Sequence, residues 1–204
     1  MTNQITNGKK SADCTVILAH GAGAGMDTPF MDAFAEGIAG AGHRVVRFEF
    51  PYMTQQREMG KKRAPNTAKQ LRASWLEVIA GVKSKQIVIG GKSMGGRVAS
   101  LVADEAEVTG LVCLGYPFHP VGKPDKLRTE HLAGLVTPTL IVQGERDNFG
   151  KREEVAGYSL SKKIKLHWLP DGDHSFKPRN SSGITSEENW ANGVAAIVAF
   201  LARL

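Results

Sequence analysis

The stretch "IVIGGKSMGG" (87–96) puts a single hydroxyl, Ser93, on a bend, with Gly90 and Gly91 before it and Gly95 and Gly96 after it. Glycine-rich bends between a strand and a helix serve two common chemistries: they cradle a phosphate, or they push one side chain into a reaction site. The phosphate reading needs G-x-x-x-x-G-K-[ST]. "GKS" (91–93) matches its end, but Gln86 stands where the first glycine belongs, and the loop is too short to wrap a phosphate chain. The other reading fits. Gly91-Lys92-Ser93-Met94-Gly95 is G-x-S-x-G after an apolar run and before a helical one, the context in which a strained turn lifts a serine hydroxyl clear of the backbone. The small neighbours let helix and strand approach closely, and the N–H of Met94 points into the same space as the hydroxyl.

A serine hydroxyl is a poor nucleophile without a base. The order Ser, then Asp or Glu, then His predicts the partners, each just past a later strand. "LIVQGERDNF" supplies Asp147 as the orienting acid, and "HWLPDGDHSF" supplies His174 as the base. Glu145, Asp171 and Asp173 are competing acids, but Asp147 lies a short turn past its strand, suited to reaching an imidazole. His43 begins a strand and His167 lies within one, which assigns them structural or surface roles. A tetrahedral oxyanion needs N–H donors. "HGAGAG" (20–25) ends the first strand and offers the Ala22 N–H, with Gly23 next, to complement Met94. The same glycines resemble a dinucleotide loop, and Glu49 ends the next strand where a ribose-binding acid would. Met26, however, occupies the position of the third glycine, and Pro29 opens the helix late.

These residues need a scaffold that brings strand ends together. Strand patterns at 14–20, 44–50, 86–91, 109–117, 137–145 and 163–170 alternate with helix patterns at 29–40, 66–82, 94–105, 151–159 and 186–204. Asn66 is the expected cap of the 66–82 helix, and Thr185 with Glu188 has capping-box spacing. Alternation of this kind predicts an α/β fold with a mostly parallel sheet covered on both faces. Chemistry then gathers in the loops after strand C-termini. The expectation is a single domain of about six strands over 1–204, with 1–12 a flexible N-terminal segment and no inserted lid.

A chain of 204 residues, 42% hydrophobic and 23% charged, has the composition of a globular domain and not of a disordered one. No apolar run approaches a membrane span, and the first residues lack the apolar core of a secretory signal, so a cytoplasmic protein is expected. Cys14 and Cys113 both sit in apolar runs and read as buried free thiols; there is no zinc spacing. The net charge of +6 by itself says little about partners.

"HGAGAG", "FEFPYM" (48–53), "GGKSMGGR" (90–97), "GYPFHP" (115–120), "GERD" (144–147) and "DHSF" (173–176) together resemble the α/β-hydrolase superfamily. The resemblance is to its small lidless, dienelactone-hydrolase-like branch and to the testis-expressed-protein-thirty-like hydrolases. It covers nearly the whole chain. It implies a minimal α/β-hydrolase fold, a Ser93–Asp147–His174 triad, an oxyanion hole at Ala22 and Met94, and no cofactor or metal. Dienelactone hydrolases proper use a cysteine where this chain has Ser93, so their substrate is not implied. The chain is short for the full sheet, and the two usual N-terminal strands look missing. With the strand order of a hydrolase, Cys14 and Cys113 stand two strands apart, about 9.6 Å, beyond disulfide reach.

The implied reaction is cleavage of a small-molecule ester or thioester, without nucleic acid or membrane as partner; oligomeric state is left open. The competing reading is a non-catalytic interaction module using a basic loop. Arg57, Lys61, Lys62 and Arg63 on 51–66, Lys177 and Arg179 after the base, and Lys92 in the bend point to an anionic acyl substrate, against a merely solvated loop. Tyr52, Met53, Phe118 and Phe176 follow strands and are candidates for an acyl pocket, against ordinary core packing. Lys92 and His119 are candidate substrate contacts, and His131 a support for the 116–131 loop.

Overall fold

The computed structural model of the protein describes residues 3–204. Seven strands form one sheet: β1 (Gln4–Asn7), β2 (Cys14–Ala19), β3 (Arg44–Phe48), β4 (Gln86–Lys92), β5 (Gly110–Leu114), β6 (Thr139–Gly144) and β7 (Ile164–Leu169). Their spatial order is β1-β3-β2-β4-β5-β6-β7, and every pair is parallel except β1 with β3. The helices are α1 (Pro29–Gly40), α2 (Pro51–Met59), α3 (Ala68–Ala80), α4 (Met94–Ser100), α5 (Arg152–Val155) and α6 (Ser186–Leu201).

The strands are apolar on both sides because both sides are covered. Val16, Leu18, Val88, Val112, Leu114 and Val142 face the layer containing α1 and α6, where Phe34 and Ile38 are fully buried. Ile17, Ala19, Ile89, Leu111, Cys113 and Ile141 face the layer containing α3 and α4, centred on Trp75. The period-2 alternation of those sets is the pleat itself. Cys14 and Cys113 lie on β2 and β5, with β4 between them, and both are buried free thiols.

After β2 the chain steps outward to β3, and after β3 it crosses back to β4 on the other side of β2. The crevice beyond the ends of β2 and β4 is therefore the topological switch point, where ligands of such sheets bind. Ala22 follows β2 and Ser93 follows β4.

Four expectations are corrected. The segment 1–12 is not a flexible leader throughout: Gln4–Asn7 pairs antiparallel with β3, Gln4 against Phe48 and Asn7 against Val45, while residues 1 and 2 lie outside the described residues. Seven strands result instead of six, and of the two N-terminal strands that looked missing one is present. The 51–66 loop contains α2, which starts on Pro51 at its first position and stops at Gly60 in the left-handed region (φ 62°). The cap of α3 is Thr67, not Asn66: Thr67 and Gln70 form a reciprocal capping box. The Asn66 Oδ1 instead accepts the Tyr52 N–H at 2.9 Å, tying α3 to α2. The expected 94–105 helix is regular only to Ser100, because the N–H groups of Leu101 and Val102 donate three residues back. The Thr185–Glu188 box at α6 forms as expected.

Candidate active site

Ser93 sits between β4 and α4 with φ 50° and ψ −114°, a conformation that a residue with a side chain adopts only under constraint. The constraint is visible. A Cβ on Gly91 would come within 2.1 Å of the Ala19 carbonyl oxygen, and one on Gly95 within 2.5 Å of it and 2.6 Å of the His20 carbonyl. The Ser93 N–H donates to the Leu114 carbonyl at 2.9 Å. Helix and strand thus press together with nothing but hydrogen between them, and the hydroxyl projects outward.

The loops after β6 and β7 bring Asp147 and His174 to that hydroxyl. His174 Nε2 is 2.8 Å from Ser93 Oγ, and Nδ1 is 2.8 Å from Asp147 Oδ2. Asp147 is completely buried, and its carboxylate has three acceptor contacts: His174, the Gln143 amide at 2.9 Å and the Phe149 N–H at 2.9 Å. A carboxylate so held accepts from Nδ1–H, which leaves Nε2 free to accept the serine proton. Gln143 was not singled out from sequence, although a glutamine inside the apolar run "TLIVQG" was the available signal. Its Oε1 must face the Tyr116 N–H at 2.7 Å, which turns its NH2 toward Asp147.

The competing acids are occupied elsewhere. Asp171 binds Arg146 and Arg179, Glu145 binds Arg152, and Asp173 accepts the N–H groups of Ser175 and Lys177. His167 contacts Asn192, and His131 contacts Ser100 at the end of α4.

The "HGAGAG" loop passes over the serine. Its geometry is set by His20, which is fully buried. His20 Nε2 accepts the Phe50 N–H at 3.1 Å, so Nδ1 carries the hydrogen and donates to the Gly21 carbonyl at 2.6 Å. The Tyr52 hydroxyl lies 3.0 Å from the Ala22 carbonyl and 3.3 Å from that of Gly21. A trans peptide directs its N–H opposite to its C=O, so holding the Gly21 carbonyl turns the Ala22 N–H the other way. Among the described residues neither the Ala22 nor the Met94 N–H donates to a protein acceptor; Met94 is the first residue of α4, where helical N–H groups have no intrahelical partner.

The cleft in front of Ser93 has a volume of about 410 Å³, and its walls include the 21–25 loop, Thr28, Phe30, Met31, Phe149 and Ser175. Phe149 lies against the His174 ring, centroids 4.3 Å apart. Of the five candidate substrate contacts only Lys92 reaches this cleft, and its ammonium is turned away to the His174 carbonyl. Tyr52 is buried under the 20–25 loop instead of lining a pocket, and Met53 is buried in the core nearby. Phe118 packs on Tyr116 and Tyr158, and Phe176 on Phe30 and Phe34. His119 is buried with Nδ1 beside the Pro120 carbonyl. Aromatic residues after strands were not distinguishable from wall residues by pattern, and here core packing claimed them. Of the basic residues, Arg57 clamps Asp27 and the buried Glu49, with Arg57 Nε 2.6 Å from Glu49, and Arg179 clamps Asp171. Lys61 and Lys62 edge a separate depression with Gln56 and Gly60. A larger groove of about 640 Å³ lies at the opposite end of the sheet, by Thr109 and Pro138, remote from Ser93.

A family model described as "Alpha/beta hydrolase domain" matches residues 12–202. The chain belongs to the alpha/beta hydrolase family. Its fold is shared by a dienelactone hydrolase from Anabaena variabilis (TM-score 0.74, 18% identity, covering 99% of this chain and 91% of that one). A lidless serine hydrolase from Xanthomonas campestris is similar at TM-score 0.69 and 18% identity, over 99% of this chain and 88% of that one. An esterase domain from Rhodothermus marinus is similar at TM-score 0.70 and 14% identity, over 100% and 98%. As an alpha/beta hydrolase with a hydrolase's sheet and no inserted lid, the protein is a hydrolase in the general sense.

The burial of His20 has a consequence for stability. Burial disfavours its cation and lowers its pKa below 6.5, with the Glu49 charge and the Gly21 hydrogen bond opposing the shift only in part. The unfolded chain takes up a proton as pH falls below about 6.5, and folded His20 does not until lower pH. Stability is therefore undiminished above that pH and declines as pH drops toward the folded value, with His43 and His131, also lowered by burial, adding the same sign. Urea denaturation between pH 7.5 and 5 should show this decline, and it should be shallower in His20→Gln.

Proposed function

We propose that the protein is a serine hydrolase that cleaves esters or thioesters of small, uncharged acyl groups through a covalent acyl-enzyme. Ser93 Oγ attacks the carbonyl carbon as His174 Nε2 removes its proton. Asp147 holds the imidazole in the Nδ1–H tautomer and stabilises the imidazolium that forms. The N–H groups of Ala22 and Met94 receive the tetrahedral oxyanion. His174 returns the proton to the leaving alcohol or thiol, and the ester to Ser93 is then hydrolysed by water, activated by the same imidazole. The observation that carries this reading is the unbroken contact from Asp147 through His174 to Ser93, 2.8 Å at each step.

The substrate class follows from the cleft. Its walls are glycine, alanine and the apolar side chains of Phe30, Met31 and Phe149. Two of the cations near the strand ends, Arg57 and Arg179, are paired with carboxylates, the Lys92 ammonium faces the protein, and Lys61 and Lys62 edge a separate depression. Among the described residues no inserted segment follows the strands to cover a long acyl chain over this cleft, which favours a short one.

The test is kcat/KM on p-nitrophenyl acetate, butyrate and palmitate and on a short acyl thioester. Ser93→Ala and His174→Ala should lose about 10⁴-fold or more, and Asp147→Asn about 10⁴-fold. Short esters should outpace palmitate. Undiminished turnover by Ser93→Ala contradicts the nucleophile, and preference for palmitate contradicts the substrate class.

Tyr52→Phe tests the support of the oxyanion loop. Losing a hydrogen bond of about 1.4 kcal/mol that aligns the donors should cost about tenfold in kcat with KM little changed. A KM effect alone would place Tyr52 in substrate binding instead.

A further inference from the structure

One buried ionisable group near the reacting atoms has no part in that mechanism. Lys92 leaves β4 one residue before Ser93, and its stem runs along the cleft. Its Nζ donates to the main-chain carbonyl of His174. The rings of Phe30 and Phe176 lie 5.0 and 5.4 Å from the ammonium, two adjacent cation–π contacts. Beneath it is Gly115, with φ 67°. A Cβ at Gly115 would sit 2.9 Å from Lys92 Nζ and 3.3 Å from His174 Nδ1. Ammonium and imidazole thus flank the same empty point, which only glycine leaves open.

We infer that the Lys92 ammonium is a fixed positive charge behind His174 that sets the basicity of the imidazole, a positioning residue for the proposed reaction. The inference rests on the triad reading. A cation held this close stabilises the Asp147 carboxylate and opposes a second positive charge on His174. The imidazole consequently stays the free base, ready to accept the serine proton, to lower pH than Asp147 alone would allow. The charged groups facing the pair are Asp147 on the loop after β6 and Asp173 on the loop after β7. Gly115, the residue after β5, brings no charge, and α1 brings Phe30, its Asp32 being engaged with Arg47. The ammonium bears its own cost of burial, which pulls its pKa down to about 8, with Asp147 and then Asp173 resisting. Above that pH the charge is withdrawn and the restraint on His174 is lifted.

The experiment is an NMR titration of the His174 ring from pH 4 to 10, in the native protein and in Lys92→Met. In Lys92→Met the His174 midpoint should rise by about one unit, and the acid limb of kcat/KM for p-nitrophenyl acetate should move with it. Lys92→Arg, which restores a cation, should bring both back toward the native position. The native His174 resonance should also show a second, smaller inflection near pH 8, which Lys92→Met abolishes. A hydrogen bond that merely braces the loop would lower kcat and leave the midpoint in place, and that result overturns the inference. Should Lys92→Met not fold, the native titration decides alone, since a single inflection there is equally contrary. Fluorophosphonate labelling of the same native sample separates the two levels. Labelled protein with a single inflection sinks the role of Lys92 and leaves the triad reading intact, whereas unlabelled protein sinks the triad reading.

Discussion

The site depends on the close crossing of backbone at the end of β4. Ser93 is held at φ 50° because Gly91 and Gly95 press against the carbonyls that end β2, at distances where any Cβ would collide. Strain of this kind costs on the order of 1–3 kcal/mol and survives only where the surroundings over-determine it. Here they do. β4 lies between β2 and β5 at the centre of the sheet, and the Ser93 N–H is tied to the end of β5. One local arrangement raises the hydroxyl, opens the first N–H of α4 toward it, and brings the end of β2 near enough to offer a second N–H.

Around this fixed point the other groups are positioned by burial, not by the loops' own stiffness. Asp147 is sealed from solvent, and Gln143, Phe149 and His174 satisfy its oxygens. Gln143 is in turn oriented by the Tyr116 peptide. The 20–25 loop is pinned from behind by His20 and Tyr52, and Arg57 joins Asp27, just past that loop, to Glu49, the residue after β3. Of the cations that looked like a lure for anionic substrate, Arg57 belongs to this framework.

That Ser93, Asp147 and His174 would meet was legible because their placement just past strand ends is a consequence of a parallel sheet. Ser93, Asp147 and His174 each follow a strand whose apolar run is unmistakable. Elements whose formation depends on distant partners were not legible. β1 is four residues with a half-exposed pattern, and it exists only because β3 has an open edge. α2 buries just Tyr52 and Met53, too little for a helical period, and its signals were Pro51 and Gly60 alone. The pairing of Arg57 with Glu49 and Asp27 is tertiary and leaves no trace in a charge count. The wall residues Phe30, Met31 and Phe149 carry no mark in the sequence that sets them apart from core residues. Phe176, read as a candidate wall, is packed against Phe34 and Phe30 in the core.

The central claim is that Ser93 is an activated nucleophile. Incubating the native protein with a fluorophosphonate and mapping the adduct by peptide mass spectrometry tests it most directly. The account expects stoichiometric modification confined to the peptide bearing Ser93, and none when His174 is replaced by alanine. A folded native protein that remains unmodified, or an adduct on any other residue, would contradict it.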